Sequence, residues 1–222
     1  MIFKAENIRK SYGKKQVLKD VSFSISSGRC LGLLGGNGSG KSTLLSILSG
    51  AVSADWGKAW ADDTDLFASR CAGSRLVGYV PQGTPLMQEL TAWDNLRLWY
   101  DKETLNRELE TGVLSVLGIG RFLKVPVKKL SGGMKKRLSI GCAMAGRPPI
   151  LLLDEPTAAL DLACKQDIAR YLQRYKAAGG ILVLTTHDPA ELSLCDEVYI
   201  LKDGVLSSFE FTGDVDALVK RL

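Results

Sequence analysis

The 222 residues, 45% hydrophobic and 24% charged, have the make-up of a globular protein, with length for one domain or a domain carrying a sizeable subdomain. A net charge of +5 without a dense Lys/Arg block excludes the footprint of a nucleic-acid binder; the nearest candidate, Lys135-Lys136-Arg137, falls on a predicted helix and reads as a solvated face. Five cysteines, odd in number, widely spaced and without a C-x-x-C, exclude a disulfide framework and a zinc site and suit a reducing cytosol.

Met1-Ile2-Phe3-Lys4-Ala5-Glu6 is charged at once and lacks the apolar core of a signal peptide. No apolar run approaches the roughly 18 residues that span a bilayer, so a membrane role is expected to come through a partner chain. Ile2 to Ile8 alternates apolar and polar residues and predicts a strand. Ser11 to Lys15 reads as a turn, and Val17 to Ile25 alternates again, giving an antiparallel two-strand start. Ser27-Gly28 turns the chain into the apolar strand Cys30 to Leu34, followed by a glycine-rich run, Gly35 to Thr43, and a helix through Leu44 to Leu48. Asp55-Trp56-Gly57-Lys58 predicts a turn, and Val77 to Val80 a short strand closed by Pro81-Gln82-Gly83. Thr91 is placed to N-cap a helix, and a second helix is expected from about Lys102 to Leu117, broken by Gly118 and Gly120. Residues 84–147 are therefore read as a helical subdomain inserted into an α/β core made of 1–83 and 148–222. Ile150 to Leu153 and Ile181 to Leu184 are unalternating apolar runs, the mark of strands covered on both faces. A helix from Leu162 to Ala178 lies between them. Val198 to Leu201 and Val205 to Phe209 flank Asp203-Gly204 as a hairpin, and a last helix is expected from Val215 to Leu222. Strand–helix alternation through the middle predicts a parallel sheet with helices on both sides.

Four stretches carry chemistry. The run Gly35-Gly36-Asn37-Gly38-Ser39-Gly40-Lys41-Ser42-Thr43 fits G-x-x-x-x-G-K-[ST] between a strand and a helix, the context of a phosphate loop. The glycines let backbone N–H groups turn toward one anion, and the helix start adds unpaired N–H groups and the positive end of its dipole. Lys41 supplies charge to the β- and γ-phosphates, and the Ser42 hydroxyl is a hard oxygen ligand for Mg²⁺. The chain is thus expected to bind a nucleoside triphosphate. Asp154-Glu155 closes a buried strand at the edge where open α/β sheets bind ligands; one carboxylate can hold Mg²⁺ through water while the other faces an attacking water. Leu130-Ser131-Gly132-Gly133-Met134 opens a helix as a second anion-binding N-terminus, although taken alone it reads as an ordinary capped helix. His187, the only histidine, follows a core strand and suits a hydrogen bond to a γ-phosphate or attacking water. Gln82 can contact Mg²⁺ or water, or be a plain loop residue; Tyr12 can stack on a base, or simply pack.

These pieces, in this order, resemble the nucleotide-binding subunit of an ATP-binding cassette (ABC) transporter from about Ile2 to Gly213. The resemblance implies a P-loop NTPase core with N-terminal antiparallel strands and an inserted helical subdomain, in one ABC domain. It makes 35–43 the Walker A loop, Ile150 to Glu155 Walker B with its catalytic glutamate, 130–134 the signature, and Gln82 the Q-loop glutamine. Ala159-Leu160-Asp161 resembles the D-loop, His187 the switch histidine and Tyr12 the adenine-stacking aromatic. It implies ATP and Mg²⁺ as ligands, with Ser42, Gln82 and Asp154 toward the metal. Two copies would sandwich two ATP molecules head to tail, each between the phosphate loop of one copy and Ser131-Gly132-Gly133 of the other. Glu155 would polarise the attacking water, His187 steady the γ-phosphate, and Lys41 offset phosphate charge. Dimer closure would pull on an integral membrane permease docked near Gln82 and the helical insert, at the cytoplasmic face of the membrane, with no nucleic acid involved. Three positions depart from the pattern: Gly36 for proline, Met134 for glutamine and Ala158 for serine. The form Ser-Gly-Gly-Met-Lys-Lys-Arg-Leu-Ser resembles exporters of the ABC-2 kind. The alternative is a soluble ABC ATPase, such as one serving iron–sulfur cluster assembly. A P-loop kinase or GTPase would need an acceptor site or a guanine-reading loop, and the Ser131 motif and carboxylate pair fit neither.

Overall fold

The computed structural model describes residues 1–68, 73, 75–186, 188–211, 213 and 221. The chain opens with β1 (Ile2–Tyr12) and β2 (Lys15–Ser26), an antiparallel hairpin in which Tyr12 pairs with Lys15. The predicted turn shrinks to Gly13-Lys14, with Gly13 left-handed at φ 57°, and most of its other residues join the strands. Val21, Phe23 and Ile25 of β2 point inward at the two-residue period that the alternation predicts, and an irregularity at Asp20, φ 54°, offsets the buried Leu18 by one residue.

The predicted turn at 55–58 is corrected. Trp56 begins a strand, β4 (Trp56–Ala61), which pairs with β1 and with the short β5 (Thr64–Asp65) in a four-stranded sheet ordered β2-β1-β4-β5. Gly57 is there for close approach: a Cβ at that position would lie 2.6 Å from the carbonyl oxygens of both Glu6 and Asn7.

The second sheet holds β3 (Cys30–Leu34), β6 (Val77–Val80), β7 (Ile150–Asp154), β8 (Ile181–Thr185), β9 (Glu197–Lys202) and β10 (Val205–Phe209), in the order β10-β9-β3-β8-β7-β6. Its strands are parallel except β10, which returns antiparallel on β9. Every residue of β3, β7 and β8 is buried, as the unalternating runs require. Side chains split by parity. Ile150, Leu152, Ile181 and Val183 pack with α1 (Lys41–Leu48) and the antiparallel sheet. Leu151, Leu153, Leu182 and Leu184 pack with the helices that cover the other face. Those are α2 (Ala92–Arg97), α3 (Lys102–Glu110), α4 (Val113–Val116), α5 (Gly132–Ala143) and α6 (Leu162–Ala177). The inserted helices and that sheet face thus share one continuous apolar core.

Thr91 caps α2 in a reciprocal capping box with Asp94. The single helix expected over 102–117 is instead broken at Thr111-Gly112 into α3 and α4. The cause is Glu108, whose buried carboxylate accepts from Val113 N at 2.9 Å and from Arg147 Nη2 at 2.6 Å. A Cβ on residue 112 would meet that carboxylate at 1.9 Å. Helix α7 (Pro189–Leu192) follows β8, and the helix expected at 215–222 lies almost wholly outside the described residues. Among the described residues no helix is long and apolar enough to cross a membrane. Cys30, Cys142, Cys164 and Cys195 are free thiols, with Cys30 Sγ and Cys195 Sγ 3.7 Å apart.

Candidate active site

The glycine-rich run leaves β3 through a turn that other residues cannot make. Gly35 has φ 151°, and a Cβ there would sit 2.3 Å from the Leu201 carbonyl oxygen. Gly38 and Gly40 are left-handed at φ 76° and 110°. Gly40 opens α1 with no side-chain cap, so the first-turn N–H groups are not masked by the chain's own side chains. Lys41 is 7% exposed, and its Nζ donates to the carbonyls of Gly35 (2.6 Å) and Gly36 (3.1 Å). Burial lowers its proton affinity, while the charges of Glu155 and Asp154 pull it back up, so the lysine lies in the field of both carboxylates. Ser42 is exposed, Thr43 half-buried, and the Ser39 hydroxyl is buried without a partner among the described residues. Asn37, Gly38 and Ser39 line a cavity of about 330 Å³ whose other walls include Lys15, Lys19 and Lys202. Sequence reasoning missed these three lysines, which stand on β2 and at the end of β9. Tyr12 is exposed at the end of β1, with Lys10 Nζ 5.4 Å from its ring centroid, and is not among the described residues lining that cavity.

The carboxylates stand at the carboxyl edge of the same sheet. Asp154 ends β7 opposite Thr185, which ends β8. The Thr185 hydroxyl donates to Asp154 Oδ1 at 2.6 Å and accepts from Glu155 N at 2.9 Å. Thr185 is fully buried and Asp154 is 2% exposed. The strand does not simply alternate past this point: Glu155 is left-handed at φ 47°, and its Oε2 accepts from Gln82 Nε2 at 2.8 Å. Gln82, Asp154 and Glu155 thus meet at one sheet edge, with Lys41 in the field of both carboxylates. Thr185 was missed; its signal was a hydroxyl ending an otherwise apolar strand. His187 lies outside the described residues. Beside it, Asp188 caps α7 and pairs with Lys165 Nζ at 2.6 Å.

Ser131, Gly132, Gly133 and Asp161 form a different corner. Ser131 caps α5, its Oγ accepting from Met134 N at 3.3 Å, and Asp161 caps α6, its Oδ1 accepting from Cys164 N at 2.9 Å. Ser131 and Gly132 are exposed, whereas Gly133 is buried against α6, where a Cβ would meet Cys164 Sγ at 2.7 Å. The cavity here, about 210 Å³, includes Ser131, Met134, Arg137 and Asp161 in its walls and shares no lining residue with the phosphate-loop cavity. The expectation that 135–137 is a solvated face is corrected. Lys136 is 5% exposed and donates to Pro81 O at 3.2 Å, while Arg137 donates to Asp167 Oδ2 at 2.8 Å. The helix turns these two cations inward because α5 is covered by α6 on one side and by the end of β6 on another.

The donor set fits Mg²⁺ carried in with a triphosphate. Ser42, Gln82 and Asp154 offer hard oxygens, and with its amide nitrogen on Glu155, Gln82 keeps its carbonyl oxygen for a cation. Among the described residues no group of three or more His, Cys, Asp or Glu could cage a metal by itself. Mg²⁺ takes few protein ligands and completes its shell with phosphate and water.

The family model described as ABC transporter matches residues 18–158. The linearmycin resistance ATP-binding protein LnrL of Bacillus subtilis (strain 168) is 35% identical over 208 residues, covering 91% of this chain and 67% of that protein. The Nod factor export ATP-binding protein I of Sinorhizobium fredii is 40% identical, covering 89% of this chain and 59% of its own length. The lantibiotic transport ATP-binding protein SrtF of Streptococcus pyogenes is 31% identical, covering 96% and 92%. Among solved structures, an ATP-binding subunit of an ABC transporter superposes with a TM-score of 0.87 at 26% identity, covering 100% of this chain and 99% of the other. A dimeric ATP-binding cassette in a post-hydrolysis state bound to ADP and Pi superposes at 0.83 and 28% identity, covering 96% and 100%.

Proposed function

The chain belongs to the ABC transporter family, whose cassettes bind and hydrolyse ATP, and from that premise we propose that it powers an exporter through nucleotide-driven pairing of two cassettes. Gly35 to Thr43 cradles the phosphates, with Lys41 moving its ammonium from the Gly35 and Gly36 carbonyls onto phosphate oxygens. The cavity rimmed by Lys15, Lys19 and Lys202 takes the rest of the nucleotide, and the exposed Tyr12 ring stacks on its base. Ser42, Asp154 and Gln82 hold Mg²⁺, which, when bound, offsets charge on the phosphate oxygens. Glu155 orients and deprotonates the attacking water, and His187 steadies the γ-phosphate. Ser131, Gly132, Gly133 and Asp161 face the nucleotide held by a second copy, because their corner is separate from the phosphate loop of their own chain.

Relatives named for export, resistance and transport support the transporter reading over a soluble iron–sulfur assembly ATPase. The membrane subunit docks near Gln82 and the helices of 84–147, which places the chain on the cytoplasmic face of the membrane as a peripheral subunit. Residues 1–83 and 148–222 act as the catalytic core and 84–147 as its helical arm.

The observation that carries the catalytic assignment is the hydrogen-bonded chain Gln82–Glu155–Thr185–Asp154 at the sheet edge, in the field of Lys41. It is tested with Glu155→Gln. Loss of the base lowers kcat by about 10²- to 10⁴-fold, keeps ATP binding, and leaves an ATP-bound dimer visible by size-exclusion chromatography. Unchanged turnover would refute the role given to Glu155.

A further inference from the structure

Lys136 stands little more than one turn beyond Ser131 on α5 and points into the protein. Lysine is almost never this buried unless paired. Its Nζ donates to the carbonyl oxygen of Pro81, the residue immediately before Gln82. Burial lowers its proton affinity; Asp154, Glu155 and Glu191 act in the opposite direction, so the ammonium also lies in the field of the catalytic edge. Other contacts also hold the helix in place. Helix α5 is anchored by Leu138 and Ile140, by Gly141 in close contact with Leu114, and by the Arg137–Asp167 pair. An apolar side chain of similar length would fill the same space without the cost of desolvating an ammonium.

We propose that Lys136 is a positioning residue for ATP hydrolysis, tying the helix that carries Ser131 to the strand end that presents Gln82 to Glu155. Three contacts connect the two corners of the molecule. The α5 backbone joins Ser131 to Lys136, the ammonium joins Lys136 to Pro81, and the Gln82 amide joins the next residue to Glu155. A phosphate of the partner's nucleotide that draws on the α5 N-terminus thereby moves the group that touches the Glu155 carboxylate. This inference rests on the function proposed above, and it assigns to the chain a link between the shared half-site and the catalytic base.

The test uses the full chain with Lys136→Met, which keeps length and loses the donor and charge, and Lys136→Arg and Lys136→Gln, which keep an N–H donor. The Met variant is expected to match wild type in melting midpoint, in binding of a fluorescent ATP analogue and in KM, while kcat falls by about ten- to a hundredfold. Arg or Gln recovers most of the lost kcat. Wild-type kcat in the Met variant overturns the inference. So does a fall in kcat accompanied by weaker ATP binding and a lower midpoint, which is a packing defect, and so does recovery by neither Arg nor Gln. A wild-type chain that does not hydrolyse ATP overturns the proposed function and this inference with it. Normal wild-type turnover beside an unaffected Met variant overturns this inference alone.

Discussion

Two helices of this protein begin with glycine-rich sequences that could each receive an anion, and they are built in opposite ways. Helix α1 starts at a left-handed Gly40 with no side-chain cap, and its first residue is a buried lysine. Helix α5 starts at an exposed Ser131 whose own hydroxyl already caps Met134 N, at a long 3.3 Å. The first end is left open, beside a cation of the same chain that rests on the Gly35 and Gly36 carbonyls. The second is closed on itself by a weak bond that a better acceptor can displace. Since the dipole and unpaired N–H groups are common to both ends, the difference lies in what the chain adds around them. Under the proposed function, that difference gives α1 the nucleotide held by a single copy and leaves α5 for a phosphate presented by a second copy.

Lys41→Ala breaks the comparison at its stronger end. Removing a charge-assisted donor costs about 1.5–3 kcal/mol, an ATP affinity loss of about ten- to a hundredfold in equilibrium titration of the single chain. The Ser131 variant below should leave that affinity intact. Mixing the Lys41→Ala and Ser131→Ala chains sharpens the point: one intact composite site forms between them, and turnover above that of either variant alone is expected.

Gly133→Ala probes the packing that sets the α5 corner. The added Cβ meets Cys164 Sγ at 2.7 Å, so α5 and α6 must part, at about 1–3 kcal/mol of stability. Thermal unfolding should show a midpoint lower by several degrees, with single-chain ATP binding kept. The smallest effect is Ser131→Ala on stability, about 0.5–1 kcal/mol for an exposed cap. Its loss of turnover should exceed what that destabilisation explains. Equal effects of Lys41→Ala and Ser131→Ala on single-chain ATP affinity would erase the distinction between the two helix ends.

Much of the catalytic edge is legible in short runs of residues. The phosphate loop is a local object: Gly35 and Gly40 need backbone angles that glycine supplies, and Lys41 reaches back to carbonyls in its own loop. Asp154-Glu155 is legible because a short unbroken apolar run reads as a covered strand, and the carboxyl ends of such strands are where open α/β sheets bind ligands. The misreadings have the opposite character. Gly57 resembles a turn residue until β1 is laid against it. The 102–117 helix looks continuous until the Glu108 carboxylate, fixed by Arg147 from outside the helix, takes the Val113 N–H. Lys136 looks solvated until β6 supplies Pro81.

By itself, then, the amino-acid sequence determined the parallel α/β core, the phosphate loop, the paired carboxylates and the cap at Ser131. Each of these depends on backbone preferences or hydrophobic period within a few residues. Only the tertiary structure decided that Thr185 bonds Asp154, that Gln82 reaches Glu155, that Lys15, Lys19 and Lys202 rim the phosphate-loop cavity, and that Lys136 turns inward. Those contacts join residues 31, 73 and 55 positions apart for the Thr185, Gln82 and Lys136 bonds. Sheet order and helix cover bring them together, and a side chain carries no local sign of which distant strand will end beside it.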